Sequence, residues 1–192
     1  MKTVFALSLL CYTAPEYRRI HHRKEESHII KDEYTQLLHK AKIRHPEILK
    51  RMRYLSKLTK PGFDAKIHAW HDEVFLRIDC TECGNCCRNY GPRFRETDIK
   101  HMCKASGRDA KEFVRNYLEK DPDGTGYVLR ELPCPFQNPD NTCSDYEVRT
   151  LSCREFPHTE SRNIQKKLVG LALDSLYCPA AYLICEKIMA EY

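Results

Sequence analysis

The sequence predicts a mainly α-helical fold with a short β-hairpin, built as a small irregular domain with cysteine loops and an N-terminal helical extension. Three observations support this prediction. Apolar residues recur at intervals of three and four over much of the chain, which is typical of amphipathic helices. Turn-forming Pro, Gly and Asn residues separate these segments. Eleven cysteines occur among 192 residues, and four of them fall within the single stretch "CTECGNCC".

Length and composition restrict the class of protein. A chain of 192 residues is expected to form one domain, or one domain with an extension. Hydrophobic residues make up 42% and charged residues 31%, which allows a modest buried core and excludes a wholly disordered chain. No stretch approaches the roughly 20 apolar residues that a membrane helix needs, so we expect no membrane span.

The first part of the chain is distinguished by its charge. Residues 1–60 hold 14 Lys and Arg against 6 Asp and Glu, a balance of +8 in a chain whose total is +5. Helical spacing from Ile29 to Ala41 predicts one helix, and a second is expected to begin at Pro46 and to end before a Lys-Pro-Gly break. We therefore assign residues 1–62 to a basic helical extension and residues 63–192 to a cysteine-cluster domain.

Further helices are predicted on both sides of the cysteine motif. Residues 64–79 fit a helix that Asp64 caps, with an apolar stripe through Ile67 and Val74. The remaining elements are expected in this order: helices over 96–106 and 109–120 with Asp109 as the second cap, a turn at 122–126, a short strand from Tyr127, a helix over 164–175 and a last helix from Pro179.

The N-terminal residues bear on the compartment of the protein. "MKTVFALSLLCYTAPEYRR" has an early Lys and an apolar run, as a secretory signal does, but the run is short and Tyr12 is too large for a cut after Ala14. We therefore predict a cytoplasmic protein. Cytoplasmic thiols stay reduced, so clustered cysteines there indicate metal ligands or catalytic groups rather than disulfides.

Cys80, Cys83 and Cys86 form a C-x2-C-x2-C run. Such a run can turn three thiolates toward one centre, as the cluster-binding loop of bacterial ferredoxins does. Cys87 does not fit that pattern, because neighbouring residues usually point their side chains apart. Either the pair Cys86 and Cys87 is therefore expected to bridge two metals, or Cys87 serves a second site.

Four more cysteines lie in loops or at helix starts: Cys134, Cys143, Cys153 and Cys178. Pro follows two of them and fixes the backbone beside the thiolate. Together with the motif they give eight candidate ligands, enough for two four-thiolate sites. Zinc and iron–sulfur clusters both take four cysteines, so the spacing does not separate these metals.

Other interpretations of the thiols stay open at this point. An exported protein would use them as a disulfide framework, although the odd number leaves one over. A redox dithiol would need an isolated C-x-x-C, whereas here two more thiols follow. Cys11, Cys103 and Cys185 stand alone on helical or apolar stretches and are expected to be small buried hydrophobes.

Basic and imidazole groups lie near the candidate ligands. Three arginines flank them directly: Arg88, Arg149 and Arg154. They would offset the negative charge of a thiolate site, unless they are solvated surface groups. His158 is a candidate nitrogen ligand, an outer hydrogen-bond donor or a surface residue. His68 and His71, before the motif, are weaker candidates for metal contact.

The combined motifs resemble a known family. "CTECGNCC", followed by "PCPFQNPDNTCSDYEVRTLSCREFPH" and "YCPA", is similar to the YkgJ-type cysteine-cluster family, a zinc- or iron-chelating domain with a CxxCxxCC signature. The resemblance covers about residues 70–190. It implies metal-ligand roles for Cys80, Cys83, Cys86, Cys87, Cys134, Cys143, Cys153 and Cys178. Thr150 and Gln137 depart from the family pattern and bear on the rigidity of the loops.

The sequence supports one leading function and two alternatives. The leading one is a metal-binding protein in which zinc or iron, alone or as an iron–sulfur cluster, organises a small core. The first alternative is an iron–sulfur-dependent redox or modification enzyme, since a flagellin lysine methylase has a similar cysteine pattern, but no glycine-rich nucleotide loop supports it. The second is RNA or DNA binding, although charged helix faces are usually only solvated. The sequence therefore favours a metal ion over nucleic acid as partner and assigns no activity.

Overall fold

The computed structural model describes residues 30–192. Its α-helices are α1 (Asp32–Leu55), α2 (Phe63–Phe75), α3 (Cys80–Cys83), α4 (Asn85–Asn89), α5 (Glu96–Ser106), α6 (Ala110–Tyr117), α7 (Leu151–Glu155), α8 (Leu168–Asp174) and α9 (Pro179–Glu191). The strands are β1 (Arg93–Phe94), β2 (Leu118–Lys120) and β3 (Tyr127–Leu129), and short 3-10 turns cover Tyr146–Val148 and Ile164–Lys167. The signal-like start and Cys11 lie outside the described residues.

The longest helix, α1, runs through Pro46 without a break. The prediction of a separate helix beginning at Pro46 is wrong, because α1 is continuous from Asp32 to Leu55. Proline removes one backbone donor, so the carbonyl of Lys42 loses its partner within the helix. Lys42 and Pro46 both lie on the exposed face, where solvent can reach that carbonyl. The apolar face of the helix continues past the proline undisturbed.

The apolar face of α1 belongs to the main core. Tyr34, Ala41, Ile48, Met52 and Leu55 are each at most 2% exposed, and the helix packs against α8 and α9. The other helices of this core supply Phe63, Ile67, Val74, Leu168, Leu171, Ala172, Ala181, Ile184 and Ile188. Because the apolar residues of α1 share one side, their burial also decides which face of the helix meets solvent.

The helix before the cysteine motif, α2, differs from the prediction at both ends. It begins after Gly62, which adopts a left-handed conformation with φ of 72°, and it ends at Phe75. Asp64 is not its cap. The Asp64 carboxylate instead accepts a hydrogen bond from Asn163 N at 2.7 Å, which fastens a later loop to the start of α2.

A second, smaller core lies between the sheet and helices α5 and α6. β3 is the central strand and runs antiparallel to β1 and β2, with Leu118 opposite Leu129. The buried members of this core are Phe94, Ile99, Met102, Cys103, Phe113, Leu118, Leu129, Cys134 and Phe136. Phe113 of α6 stacks on Phe136 at 5.8 Å between ring centroids. That contact joins the loop after Cys134 to the helices.

Contacts between neighbouring residues set both ends of α5 and the start of α6. The Arg95 backbone N–H donates to Asp98 Oδ2 at 2.9 Å, which closes the first turn of α5. Gly107 ends α5 in a left-handed conformation with φ of 68°. Asp109 caps α6 as predicted, because its Oδ1 accepts from Glu112 N at 2.9 Å.

The overall architecture agrees with the predicted fold class. The described chain is mainly α-helical with a small three-stranded antiparallel sheet. Within residues 30–192 the helices are too short or too polar to cross a bilayer. The boundary after residue 62 stays a prediction, and the packing constrains it: separating α1 from the rest would expose the core that it shares with α8 and α9.

Two isoleucines on α1 test its place in the core. Ile48 is 0% exposed and Ile43 is 66% exposed. We expect Ile48→Ala to lower the free energy of unfolding by about 2–4 kcal/mol, because it leaves a cavity. Ile43→Ala on the same helix should change it by less than about 0.5 kcal/mol. Denaturant titration followed by circular dichroism measures both, and equal effects would show that α1 is not part of the cooperative core.

Candidate metal centre

The four cysteines of the motif lie on a double turn formed by α3 and α4. Asp79 begins it, since its side chain accepts a hydrogen bond from Thr81 N at 2.7 Å. Gly84 ends α3 with φ of 57° and also starts α4. Each short helix therefore presents two of the thiols: Cys80 and Cys83 lie on α3, and Cys86 and Cys87 lie on α4.

Gly84 lies in close contact with the loop of residues 137–141. A Cβ at this position would be 2.4 Å from Asn141 Oδ1 and 2.5 Å from Gln137 Nε2, so a larger residue would displace these two amide groups. Gln137 Nε2 donates to Gly84 O at 3.1 Å. Asn141 Nδ2 donates to Thr81 O at 2.8 Å. The two amide side chains thus fasten the loop to the backbone of the motif.

Arg88 reinforces the same junction. Its guanidinium donates to Asn141 Oδ1 at 2.6 Å and also to the carbonyl oxygen of Cys83. One side chain therefore connects α4, α3 and the loop. The bonds from the loop and from Arg88 reach carbonyl groups near the end of α3, where helical partners are missing.

Cys134 and Cys143 lie near the two ends of this loop. Cys134 N donates to Cys87 O at 2.8 Å, which fixes the start of the loop against α4. Gln137 and Cys143 form an isolated antiparallel bridge, so the chain turns back on itself between them. The loop therefore returns both thiols to the vicinity of α4.

The last two candidate ligands lie at the starts of later helices. Thr150 caps α7, because its Oγ1 accepts from Cys153 N at 3.2 Å. Cys178 is the N-cap of α9, and its sulfur accepts from Ala181 N at 3.5 Å. The N-terminus of a helix favours negative charge, so α9 stabilises the thiolate form of Cys178.

Burial opposes ionisation of most of these thiols. Desolvation raises the pKa of Cys134 and Cys178 to about 12 and that of Cys153 to about 11. It is also the main cause of the raised pKa of Cys80, Cys83 and Cys143. A buried thiolate without a compensating cation is costly, so these groups are protonated at neutral pH in the absence of metal.

Electrostatic interactions divide the thiols into two groups. The first group is Cys80, Cys83, Cys86 and Cys178. The second group is Cys87, Cys134, Cys143 and Cys153. Within each group the charge of one thiolate raises the pKa of another, so the thiols lie within electrostatic range of one another. Cys87 also raises the pKa of Cys80, Cys83 and Cys86, so its charge acts on both groups, and its backbone contact with Cys134 associates it with the second.

The adjacent residues Cys86 and Cys87 connect the two groups. Their thiols share a hydrogen bond, which raises the pKa of Cys86 well above its usual value and lowers that of Cys87 to about 7. Positive charge on Arg88 and Arg149 lowers the pKa of Cys87 further. Cys87 is therefore the most readily ionised of the eight thiols.

Two of the three flanking arginines act on the thiols. Arg149 lowers the pKa of four of them, with members in both groups, and Arg88 lowers the pKa of two. The guanidinium of Arg149 also lies 3.5 Å from the centre of the Tyr146 ring. Arg154 is exposed. Positive charge thus reaches both thiol groups from two directions.

The histidines contact other parts of the protein. His71 Nδ1 lies 2.7 Å from Thr159 Oγ1, a contact that fastens the loop after α7 to α2. His158 Nδ1 is 3.8 Å from a carboxylate oxygen of Glu155, and burial lowers the His158 pKa. His68 Nε2 is buried without a hydrogen-bond partner in the described part of the chain. The two cysteines predicted to be structural, Cys103 and Cys185, are buried at 4% and 0% exposure.

The donor set suits zinc or iron. All ten cysteines of residues 30–192 are free thiols, so none of the eight is used in a disulfide. Thiolate is a preferred ligand of zinc and of iron in clusters. In the present arrangement no three His, Cys, Asp or Glu side chains of residues 30–192 form a set able to hold one ion. The thiols of these residues are thus near one another without forming a closed ligand set in this arrangement.

Polar residues that position the motif were not predicted from the sequence. Asn85 is 6% exposed, and its Nδ2 donates to Tyr177 O at 2.8 Å, which places the residue before Cys178 beside α4. Gln137 is equally buried. Asn and Asp side chains often bond to nearby backbone groups, so the stretch "QNPDN" carries the signal that could have indicated these contacts.

Comparison with known families supports the interpretation of the cysteine motif. Residues 79–171 match the family model described as "CxxCxxCC: Putative zinc- or iron-chelating domain". The match covers just under half of the chain, contains seven of the eight candidate cysteines and ends before Cys178. The resemblance predicted from the motif is thereby confirmed over these residues. No curated protein and no solved structure matches the chain.

Two glycines test how tightly the motif fits the loop. Gly84→Ala is expected to lower the free energy of unfolding by about 2–4 kcal/mol, because the new Cβ meets the loop and the residue has a left-handed backbone. Gly107→Ala keeps the left-handed backbone but enters open space, so it should cost only about 1 kcal/mol. Thermal unfolding of the two variants measures the difference. Similar losses of stability in the two variants would show that the contact between Gly84 and the loop does not contribute to the free energy of unfolding.

Proposed function

We propose, from the premise that residues 79–171 form a domain of the CxxCxxCC zinc- or iron-chelating type, that the protein holds two metal centres through four thiolates each. The first centre uses Cys80, Cys83, Cys86 and Cys178. The second centre uses Cys87, Cys134, Cys143 and Cys153. The observation that carries the proposal is the electrostatic interaction of eight thiols in two groups of four that meet at the adjacent residues Cys86 and Cys87.

Each thiol group is associated with its own hydrophobic core. Cys83 and Cys178 are part of the core formed by α1, α2, α8 and α9. Cys134 is part of the second core, and Cys87 and Cys143 pack against it. A metal in each group would therefore fasten a cysteine loop to the nearest core, and the peptide bond between Cys86 and Cys87 would link the two centres.

The surrounding charge supports metal thiolates at these positions. Four thiolates around one divalent cation leave a net charge of about −2, which a largely buried site has to compensate. Arg149 acts on thiols of both groups and Arg88 on the thiols nearest the junction. Two guanidinium groups thus stand where the summed negative charge would be largest.

A centre closed by four thiolates contributes mainly folding free energy. A structural zinc site of this kind supplies on the order of 10 kcal/mol, whereas a catalytic zinc keeps one position open for water or substrate. We therefore propose that organising the fold is the primary role of the metal. The thiolates have to stay reduced, which is the reason for proposing a cytoplasmic location.

Alanine variants and elemental analysis test the two centres. Cys83→Ala and Cys134→Ala each remove one ligand from a different group, so each variant should retain about half of the metal of the unmodified protein. Protein purified anaerobically should be analysed for zinc and iron, and a brown colour that dithionite bleaches would assign iron–sulfur clusters rather than zinc.

Cys103→Ala is the matched control, because Cys103 is a buried cysteine of the second core that belongs to neither thiol group. It should leave the metal content unchanged. The proposed ligand sets would be wrong if this control lost metal, or if both ligand variants kept their full metal content.

Proton release on metal binding gives a second test. Seven of the eight thiols have a raised pKa and the pKa of Cys87 is about 7, so nearly all are protonated in the metal-free protein at neutral pH. Adding two equivalents of Zn²⁺ to stripped protein should release about seven to eight protons, as a pH indicator in dilute buffer would measure. Because protons compete for the same sulfur atoms, metal affinity should fall as the pH is lowered. Release of only one or two protons would show that most of these thiols are not ligands.

A further inference from the structure

The outward face of α1 carries an excess of positive charge. Residues 34–60 contain eight Lys and Arg but a single carboxylate, that of Glu47. Lys42, Lys50 and Arg53 follow one another at helical spacing and are exposed together with Lys57 just beyond the helix. Three of these cations are thereby aligned along about 16 Å of the helix. The opposite face of α1 is buried, so this basic face is turned to solvent.

The cations of this face are unpaired in the described structure. Glu47 pairs with Arg44, which also pairs with Glu186 on α9. Lys42, Lys50, Arg53 and Lys57 make no ion pair with any carboxylate of residues 30–192. Some other lysines do find partners, as Lys187 does with Glu73 at 2.8 Å. The four cations of the α1 face therefore remain available to an external anion.

Apolar and aromatic groups interrupt the basic face. Tyr54 is 56% exposed and Ile43 is 66% exposed. A shallow groove of about 450 Å³ lies beside Tyr54, and its lining residues are Pro46, Leu49, Lys50, Arg53, Tyr54 and Lys57. The guanidinium of Arg51 lies over the Tyr54 ring, 5.7 Å from its centre. This cation–π contact favours the observed orientation of the ring. An exposed ring at the edge of a basic groove is a surface on which a flat base can stack.

We propose that this α1 face binds single-stranded nucleic acid, with the phosphates along Lys42, Lys50, Arg53 and Lys57 and one base on Tyr54. Proteins that bind single strands without sequence preference combine a positively charged groove with exposed aromatic rings in this way. The proposal is independent of the metal centres, since none of these residues belongs to the cysteine-cluster motif or its loop.

Two other polyanionic partners fit this surface less well. A membrane-surface helix inserts an apolar face below the lipid headgroups, but the apolar face of α1 is already buried in the main core. An acidic protein segment would match the charge, but it would leave the exposed Tyr54 ring beside the groove without a planar partner. Nucleic acid uses both the charge and the ring.

Fluorescence anisotropy with a labelled oligouridylate of about 15 nucleotides tests the proposal on the metal-loaded full chain. The variant Lys50→Glu/Arg53→Glu/Lys57→Glu should bind at least about tenfold more weakly. Its plot of log affinity against log salt concentration should be less steep by about 2, since each lost phosphate contact contributes about 0.7.

A second triple variant with the same change in charge serves as the control. Lys100→Glu/Lys104→Glu/Lys111→Glu alters exposed lysines on α5 and α6, away from the α1 face. It should bind almost as the unmodified protein does, apart from a small general effect of net charge. Circular dichroism and metal content should be unchanged in both triple variants, which separates loss of binding from loss of the fold.

Variants of Tyr54 distinguish base stacking from charge alone. Tyr54→Ala should weaken binding by about fivefold or more, and Tyr54→Phe should retain it, because the ring and not the hydroxyl provides the stacking surface. Inorganic polyphosphate, which carries the charge without bases, should bind more weakly and should not respond to Tyr54→Ala.

Three results would each overturn the proposal. The first is an equal loss of binding in the two triple variants. The second is polyphosphate or polyglutamate binding as tightly as the oligonucleotide. The third is a preference for vesicles containing phosphatidylserine that depends on the same α1 residues, which would make the face a membrane contact instead.

Discussion

Desolvation of cysteine thiols around the junction of two small cores is the constraint on which the rest of the structure depends. A buried thiol is stable only as long as it stays neutral, and desolvation raises the pKa of Cys134 and Cys178 to about 12. The same burial that resists ionisation in the absence of a cation makes a thiolate a strong ligand when one is bound, because water no longer competes for the charge. Free thiols that only filled space would have no reason to interact electrostatically, as those of the two proposed groups do. A bound metal cation would stabilise these thiolates where water cannot reach them, which would explain the arrangement.

The polar side chains around the motif follow from the same constraint. A helix as short as α3 leaves most of its carbonyl groups without internal partners, and these groups belong to the candidate ligands or their neighbours. Asn141 donates to Thr81 O at 2.8 Å and Gln137 to Gly84 O at 3.1 Å, while Arg88 donates to Cys83 O. These donors come from the cysteine loop and from α4, so satisfying the carbonyls also fixes the distance between the thiol groups. The absence of a Cβ at Gly84 allows this contact. Positioning of the thiols therefore depends on hydrogen bonds that would exist with or without a metal.

The parts of the fold that depend on local pattern could be predicted from the sequence, and those that depend on packing could not. The limits of α5, the cap at Asp109 and the start of α9 at Pro179 are set by neighbouring residues, and these predictions are confirmed. Pro46 was misinterpreted because its effect depends on which face of the helix it occupies, and only the packed structure shows that face to be exposed. Asp64 was misassigned for a similar reason, since its partner Asn163 is far away in the sequence.

The eight candidate ligands could be chosen from spacing and family resemblance. Their division into two groups could not, because Cys178 reaches Cys80 only after α8 and α9 have packed on α1.

Packing also determines the direction in which the basic side chains of residues 34–60 point. From the sequence, the lysines of residues 34–60 had no common direction, and a solvated surface was the simplest interpretation. Burial of Tyr34, Ala41, Ile48, Met52 and Leu55 removes the rotational freedom of α1 and leaves Lys42, Lys50 and Arg53 on one side. The core therefore determines the charge distribution on the outside of the protein. Within residues 34–60 the single carboxylate, that of Glu47, is already engaged by Arg44. Uncompensated charge repels itself, so a face that keeps it beside an exposed aromatic ring is best explained by a ligand that supplies both negative charge and flat apolar surface.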